Sequence, residues 1–210
     1  GQENAEQNDL RLWYTKPSSQ GGVSGEDNVW QQYTLPIGNG DMGANVYGEI
    51  SNERLTFNEK TLWTGGPSES RPDYNGGNLE AQGKNGETMK RIQQLFAEGK
   101  DSEASSMCNQ LVGTSDGYGA YQSWGNIYLT YNGIDDAAAE NYVRDLDIRT
   151  AVSSVNYDVN GTHYSREYFV SNPGNVMAVR LTADQENSIT KYFSITTPQT
   201  KAEITAEGDT

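Results

Sequence analysis

The hydrophobic pattern starts with strand-like segments, shifts to helical spacing in the middle of the chain, and returns to alternation for the remainder. Residues 10–15 mix apolar and polar positions around Trp13 and predict a first strand, residues 16–28 are rich in Gly, Ser and Asn and predict a loop, and a second strand is expected over 30–35. After a glycine-rich turn, residues 44–50 and 54–57 read as a hairpin with Ser51, Asn52 and Glu53 as its turn. A long polar loop with Pro67 and Pro72 is expected over 65–86. From Glu87, Met89, Ile92, Leu95 and Phe96 fall at helical spacing, and Gly99 stands where a C-terminal cap belongs. Asp101 is then expected to cap a second helix striped by Ala104, Met107, Cys108, Leu111 and Val112. Beyond Tyr121 the pattern is all strand: 127–131, 142–148, 152–159, 164–170, 176–181 and 192–195, with Asn160-Gly161 as a two-residue hairpin turn.

Short strands with turn residues about every 8 to 12 positions predict a mainly β chain, a β-sandwich over 10–210 with a two-helix insertion at about 87–112. Residues 1–9 are polar and unpatterned and are expected to be disordered, the look of a mature N-terminus after removal of a leader, with Gly1 as a cloning scar; an exported protein is expected. Leu, Ile, Val and Phe make up under a fifth of the chain and the net charge is −14, a combination that ordinarily signals disorder. Thirteen Tyr and four Trp supply the missing buriable area, so the core is expected to be aromatic-rich and half-polar.

Charge and composition exclude several functions. A pI near 4.4 argues against a nucleic-acid partner and against an anionic membrane surface. No stretch approaches the length of a membrane span. A single Cys108 and a single His163 leave no disulfide, no Cys-based or multi-histidine metal site and no Ser/His triad, and no cofactor is expected.

Residues 38–43 match G-x-G-x-x-G, with Glu59 about 20 residues on, but they run into a β-branched segment and not into a helix, which removes the dinucleotide reading. Paired acids are the usual engine of glycoside hydrolysis, yet Glu53 with Glu59, Asp135 with Asp136, and Asp145 with Asp147 all read as solvated surface, Glu59 excepted. Glu59 lies among Phe57, Asn58, Leu62 and Trp63, where burial would demand a partner. Trp63, ahead of Gly65-Gly66-Pro67, reads as a core filler or as a stacking plane for a sugar, and Tyr118, Tyr121 and Trp124 pose the same choice. His163 reads as an edge or surface residue, and Met107 and Cys108 as core filling.

The run from Leu35 through Ala44, continuing from Glu53 through Pro67, resembles the N-terminal domain of glycoside hydrolase family 95, the α-L-fucosidase family. Residues 121–129, 142–151 and 164–169 resemble its following strands, so the likeness spans roughly 12–182 in order. It implies a supersandwich-like domain that precedes an (α/α)6 barrel, with inverting hydrolysis of α-1,2-linked fucose carried by the barrel and none of the catalytic positions within this chain. On that basis the partner is the barrel of the same polypeptide, fucosylated glycans are met only indirectly, and Asn39, Asn58, Glu59 and Trp63 are the candidates for the interface or cleft rim. The alternatives are an independent carbohydrate-binding module and a small stand-alone hydrolase.

Overall fold

Alternation along each strand decides which residues meet between two sheets. The structure is a computed structural model that describes residues 10–65, 86–111 and 119–208. Contacts divide the chain into two compact units, Gly1–Thr61 with Ser123–Thr210, and Leu62–Gln122. In the first unit, one antiparallel sheet runs in the order β1 (Arg11–Tyr14), β6 (Glu140–Asp147), β7 (Val152–Val159), β8 (Thr162–Ser171), β9 (Val176–Ala183). The other runs β10 (Lys191–Thr196), β5 (Gly125–Tyr131), β4 (Asn52–Glu59), β3 (Met42–Val46), β2 (Leu35–Gly38). The two five-stranded sheets form the expected β-sandwich.

The inward faces are written plainly in the sequence. In β7, Ser153, Val155, Tyr157 and Val159 are buried, and across the ladder Ser153 faces Tyr168, Val155 faces Arg166 and Tyr157 faces Tyr164. Leu35, Ile37, Ala44, Val46, Leu55 and Leu129 meet them from the second sheet. The turn between β7 and β8 has Asn160 at φ 52° and Gly161 at φ 79°, the left-handed pair a tight hairpin requires. Pro36, which lacks an N–H, sits on the edge strand β2 where no ladder bond is lost.

Tyrosine supplies the aromatic core. Tyr157 stacks on Tyr164 at 5.4 Å and on Tyr142 at 6.4 Å, and Tyr131 meets Tyr164 edge-on at 6.0 Å. Tryptophan stays outside: Trp13, Trp30 and Trp63 are exposed, and Trp124 packs partly buried against Phe57 at 4.9 Å. The core-filler reading of Trp63 therefore fails. A phenol can reach a backbone carbonyl from within the sandwich, and the carbonyls described next require such donors.

The connector between β3 and β4 is folded inward. Tyr47, Gly48 and Ile50 are buried, so their backbone groups need partners from the protein. Ser18 Oγ donates to Tyr47 O at 2.5 Å, Tyr142 Oη to Gly48 O, Arg166 Nη2 to Glu49 O, and Tyr157 Oη to Ile50 O at 3.4 Å. Glu53 Oε1 accepts from the N–H groups of Gly48, Glu49 and Arg54 at 2.8, 3.1 and 2.9 Å. Its Oε2 accepts from Tyr168 Oη at 2.7 Å and lies 3.5 Å from Arg166 Nη2, with both charged side chains fully buried. Gly48 has φ +71°, and a Cβ there would stand 2.7 Å from Arg144 Cδ.

Several expectations are corrected. The strand expected over 30–35 is a helix, α1 (Glu26–Tyr33), followed by β2. Glu26 and Asp27 favour its N-terminus, and Pro36 forces Leu35 extended, which stops it. The loop expected over 16–28 accordingly contains a 3-10 turn, Ser18–Gln20, and the start of α1. The turn expected at Ser51-Asn52-Glu53 lies earlier, because Asn52 and Glu53 already pair with β5. Glu53 and Asp145, read as surface acids, are buried, Asp145 with Arg11 at 2.6 Å and Ser154 Oγ at 3.1 Å.

In the second unit, α2 (Glu87–Ala97) and α3 (Asp101–Cys108) bury Ile92, Leu95 and Ala104, with Met107, Cys108 and Leu111 packed around them as expected. Gly99, at φ +73°, donates to Phe96 O at 3.0 Å while Lys100 N donates to Leu95 O at 2.9 Å, which closes α2 with a paired C-terminal cap. Lys100, and not Asp101, is the cap residue of α3; Asp101 opens the first turn. Residues 1–9, most of the polar loop with Pro67 and Pro72, Val112 and Tyr118 lie outside the described residues.

Two outcomes follow from the core. Arg166→Met should lower unfolding free energy by about 3–5 kcal/mol in urea titrations, since it strands the buried Glu53 carboxylate. Lys191 Nζ is sealed without an acceptor, 4.4 Å from the Tyr131 ring centre, and burial followed by the charge of Arg166 pushes its pKa down to about 8. The unfolded chain then binds the extra proton between pH about 8 and the ordinary lysine value of 10.5, so this group makes stability rise with pH across that window. The same group costs stability below pH about 8. Lys191→Met should be the more stable form at neutral pH and should lack that rise when melts are compared across pH.

Candidate functional site

Three of the four candidate residues come together at one end of the second sheet. Along β4, Glu53, Leu55, Phe57 and Glu59 share the inward face, while Arg54, Thr56 and Asn58 share the outward one. Glu59 thus continues the core row out to the rim. There it is half-buried, and Thr61 donates both its N–H, at 3.0 Å, and its hydroxyl to Glu59 Oε2. Asn58, opposite Gly43 in β3, accepts from the Glu59 N–H at 3.0 Å. The neighbouring Lys60 pairs with Asp41 on the β2–β3 tip.

Asn39 is the strut of this rim. Its Oδ1 accepts from the N–H groups of Asp41 and Met42 at 2.9 and 3.0 Å, which shapes the glycine-rich tip. Its Nδ2 donates to Ser171 O at 3.0 Å and Asn175 Oδ1 at 2.9 Å, at the turn between β8 and β9. The side chain therefore ties the tip of one sheet to a turn of the other. This is why residues 38–43 are glycine-rich without opening a helix: they make a tight hairpin, with Gly40 at φ +93°.

Trp63 belongs to the second unit. It bridges to Tyr121 in an isolated antiparallel pair, the two rings 5.2 Å apart and tilted by 54°, with Trp63 55% and Tyr121 49% exposed. Thr64 N donates to Ala120 O and Gln122 N to Leu62 O, each at 2.9 Å, so the two segments hold each other in register.

The other acids are engaged in local structure. Asp135 caps the turn Asp136–Ala138 through the Ala137 N–H at 3.0 Å, Asp136 accepts from Ser51 N at 2.9 Å, and Asp147 accepts from Arg149 N at 2.8 Å. His163 sits at the start of β8, half-exposed, with Nδ1 2.6 Å from Asp158 Oδ1. Hydrogen bonds from Asn141 and then His163 hold the Asp158 carboxyl below its ordinary value. Among the described residues, no cluster of three or more His, Cys, Asp or Glu side chains is placed to hold a metal ion.

Sequence reasoning missed the buried charges. Arg144 and Arg166 are essentially fully buried on the inward faces of β6 and β8, where alternation alone predicts apolar side chains. The signal available was their phase: each follows an inward tyrosine by two positions, as in Tyr142-Val143-Arg144 and Tyr164-Ser165-Arg166.

A family model described as "Glycosyl hydrolase family 65, N-terminal domain" matches residues 12–210. The chain belongs to that domain family. It is similar to "Alpha-L-fucosidase 2" of Arabidopsis thaliana, 35% identical over 156 residues, 74% of this chain and 17% of the relative. It is also similar to "Probable alpha-fucosidase A" of Aspergillus oryzae, 30% identical over 186 residues, 87% of this chain and 23% of the relative. A protein of the same description from Aspergillus niger is 34% identical over 150 residues, 71% of this chain and 18% of the relative. The chain thus spans about a fifth of the length of the curated relatives it matches. The likeness to the N-terminal domain of the α-L-fucosidase family is borne out by these matches.

The strut role of Asn39 is open to direct measurement. Asn39→Ala removes four side-chain hydrogen bonds and should lower unfolding free energy by about 1–3 kcal/mol. An unchanged urea midpoint would show that the tip does not depend on it.

Proposed function

We propose that this chain is the non-catalytic N-terminal domain of an exported α-L-fucosidase. In this reading an (α/α)6 barrel in the same polypeptide carries inverting hydrolysis of terminal α-1,2-linked fucose, and the sandwich packs against the barrel and shapes the rim of its cleft. The observation that carries it is the match of an N-terminal domain family over residues 12–210, together with α-fucosidase relatives that are several times longer. The acids support it as well: Glu53, Asp145, Asp135, Asp136 and Asp147 are all occupied in holding strands and turns. An inverting pair needs two carboxyl groups about 6.5–9.5 Å apart across a substrate, free to hold a water and a proton. Asn39, Asn58, Glu59 and Trp63 are the residues assigned to the interface or cleft rim.

A second reading is an independent carbohydrate-binding module. The exposed Trp63 and Tyr121 pair favours it, since adjacent aromatic planes can cover a sugar face.

One set of measurements separates the readings. The purified chain should release no product from an aryl α-fucoside, and fucosylated oligosaccharides should leave its tryptophan fluorescence unchanged; saturable quenching would favour the binding module. In the full-length enzyme, Asn58→Ala with Trp63→Ala should reduce kcat/KM or the melting temperature. Turnover by the chain alone would overturn the proposal.

A further inference from the structure

Arg144 is 1% exposed, and its guanidinium carbon lies 4.4 Å from the centre of the Tyr14 ring. Nε donates to Lys16 O at 2.8 Å and Nη1 to Tyr33 O at 2.5 Å. A guanidinium carries five N–H donors, so these bonds leave three unused. The ion pairs among the described residues involve Arg11, Arg54, Lys60, Arg91, Lys100, His163, Arg166 and Arg180, and none includes Arg144. Arg144 thus lacks the direct ion pair that Arg166, its counterpart on β8, makes with Glu53, and Glu49 and Glu53 act on it only through space.

The unused donors are not sealed. The solvent-inaccessible side-chain atoms that lack a partner among the described residues are Tyr47 Oη, Arg166 Nε and Lys191 Nζ, so Arg144 Nη2, which bonds to no protein acceptor, still meets solvent. It does so in a cavity of about 190 Å³ lined by Tyr14, Thr15, Lys16, Gln20, Tyr33 and Arg144. The buried cation of the lining is Arg144, Lys16 contributes its backbone carbonyl, and no acid is among the lining residues. In a chain of net charge −14 this is a small pocket with aromatic walls and unused guanidinium donors.

We infer that this cavity is a carboxylate-binding site, in which Arg144 Nη2 donates to the anion. A carboxylate offers only acceptors, is planar like the guanidinium, and gains charge-assisted hydrogen bonds that the protein itself leaves unmade. The cavity admits a small organic acid or the end of an aspartate or glutamate side chain. The site is independent of the fucosidase reading, since none of the candidate rim residues lines it.

The test uses the whole chain, labelled with ¹⁵N, titrated with sodium acetate against sodium chloride at constant ionic strength. Acetate should shift the Arg144 Nε–H resonance saturably, with half-effect in the millimolar range, and raise the melting temperature, while chloride does neither. Arg144→Met removes two bonds that satisfy buried carbonyls and puts folding at risk, so Gln20→Glu serves as the second variant: it places a tethered carboxylate on the cavity wall and should abolish the acetate response. A capped glutamate, N-acetyl-glutamyl amide, distinguishes the sources. Binding of both probes identifies a polypeptide side chain as the occupant, and binding of acetate alone identifies a free small acid. No shift with acetate, an equal shift with chloride, or an acetate response that persists in Gln20→Glu overturns the site.

Discussion

The sandwich depends on keeping a polar turn dry. The chain between β3 and β4 passes through the interior, and every carbonyl it buries must find a donor there. Hydrocarbon side chains cannot supply one. Ser18, Tyr142, Tyr157 and Arg166 can, while the Glu53 carboxylate gathers three backbone N–H groups at once. Once Glu53 is buried, Arg166 becomes its counter-charge, and Tyr168 fills its remaining acceptor capacity. The low aliphatic content of the chain is the compositional trace of this arrangement: a core that must hydrogen-bond is built from tyrosine, serine and paired charge.

The same demand explains the tight packing around Gly48. A left-handed backbone at that position turns the connector under Arg144 and Tyr142, and there is no room for even a methyl group. Burial also pushes the Tyr142 phenol upward, so it stays protonated as the donor to Gly48 O. Tyr157 is pushed up to about 12 by burial as well. The donors of the core are therefore fixed in the protonation state that the carbonyls need.

Charge is handled differently at the two buried arginines, and the difference separates scaffold from opportunity. Arg166 is closed on all sides by its own sheet partners and the connector. Arg144 uses only two donors on carbonyls and lines a small opening between β1, the turn after it and the end of α1. The rim formed by Asn39, Asn58 and Glu59, by contrast, is held by hydrogen bonds to the backbone.

Much of the architecture was legible from local pattern, because period-two alternation, the Asn160-Gly161 turn and the helical stripe of α2 and α3 are written within a few residues of one another. The rejection of a dinucleotide turn at 38–43 rested on the same local logic. What alternation could not reveal was which inward positions are polar, since Glu53 and Arg166 lie 113 positions apart in sequence and gain meaning only when the sheets close on each other. The helix at α1 was hidden for a related reason: its apolar residues are few, and Trp30 is held by a hydrogen bond to Thr56 on β4 that no window of sequence contains. By itself the sequence determined most of the strands, the Asn160-Gly161 turn, the helical pair and the family, because those depend on neighbours along the chain. Only the tertiary structure decided which charges are buried, because burial is set by partners that are distant in sequence and adjacent in space.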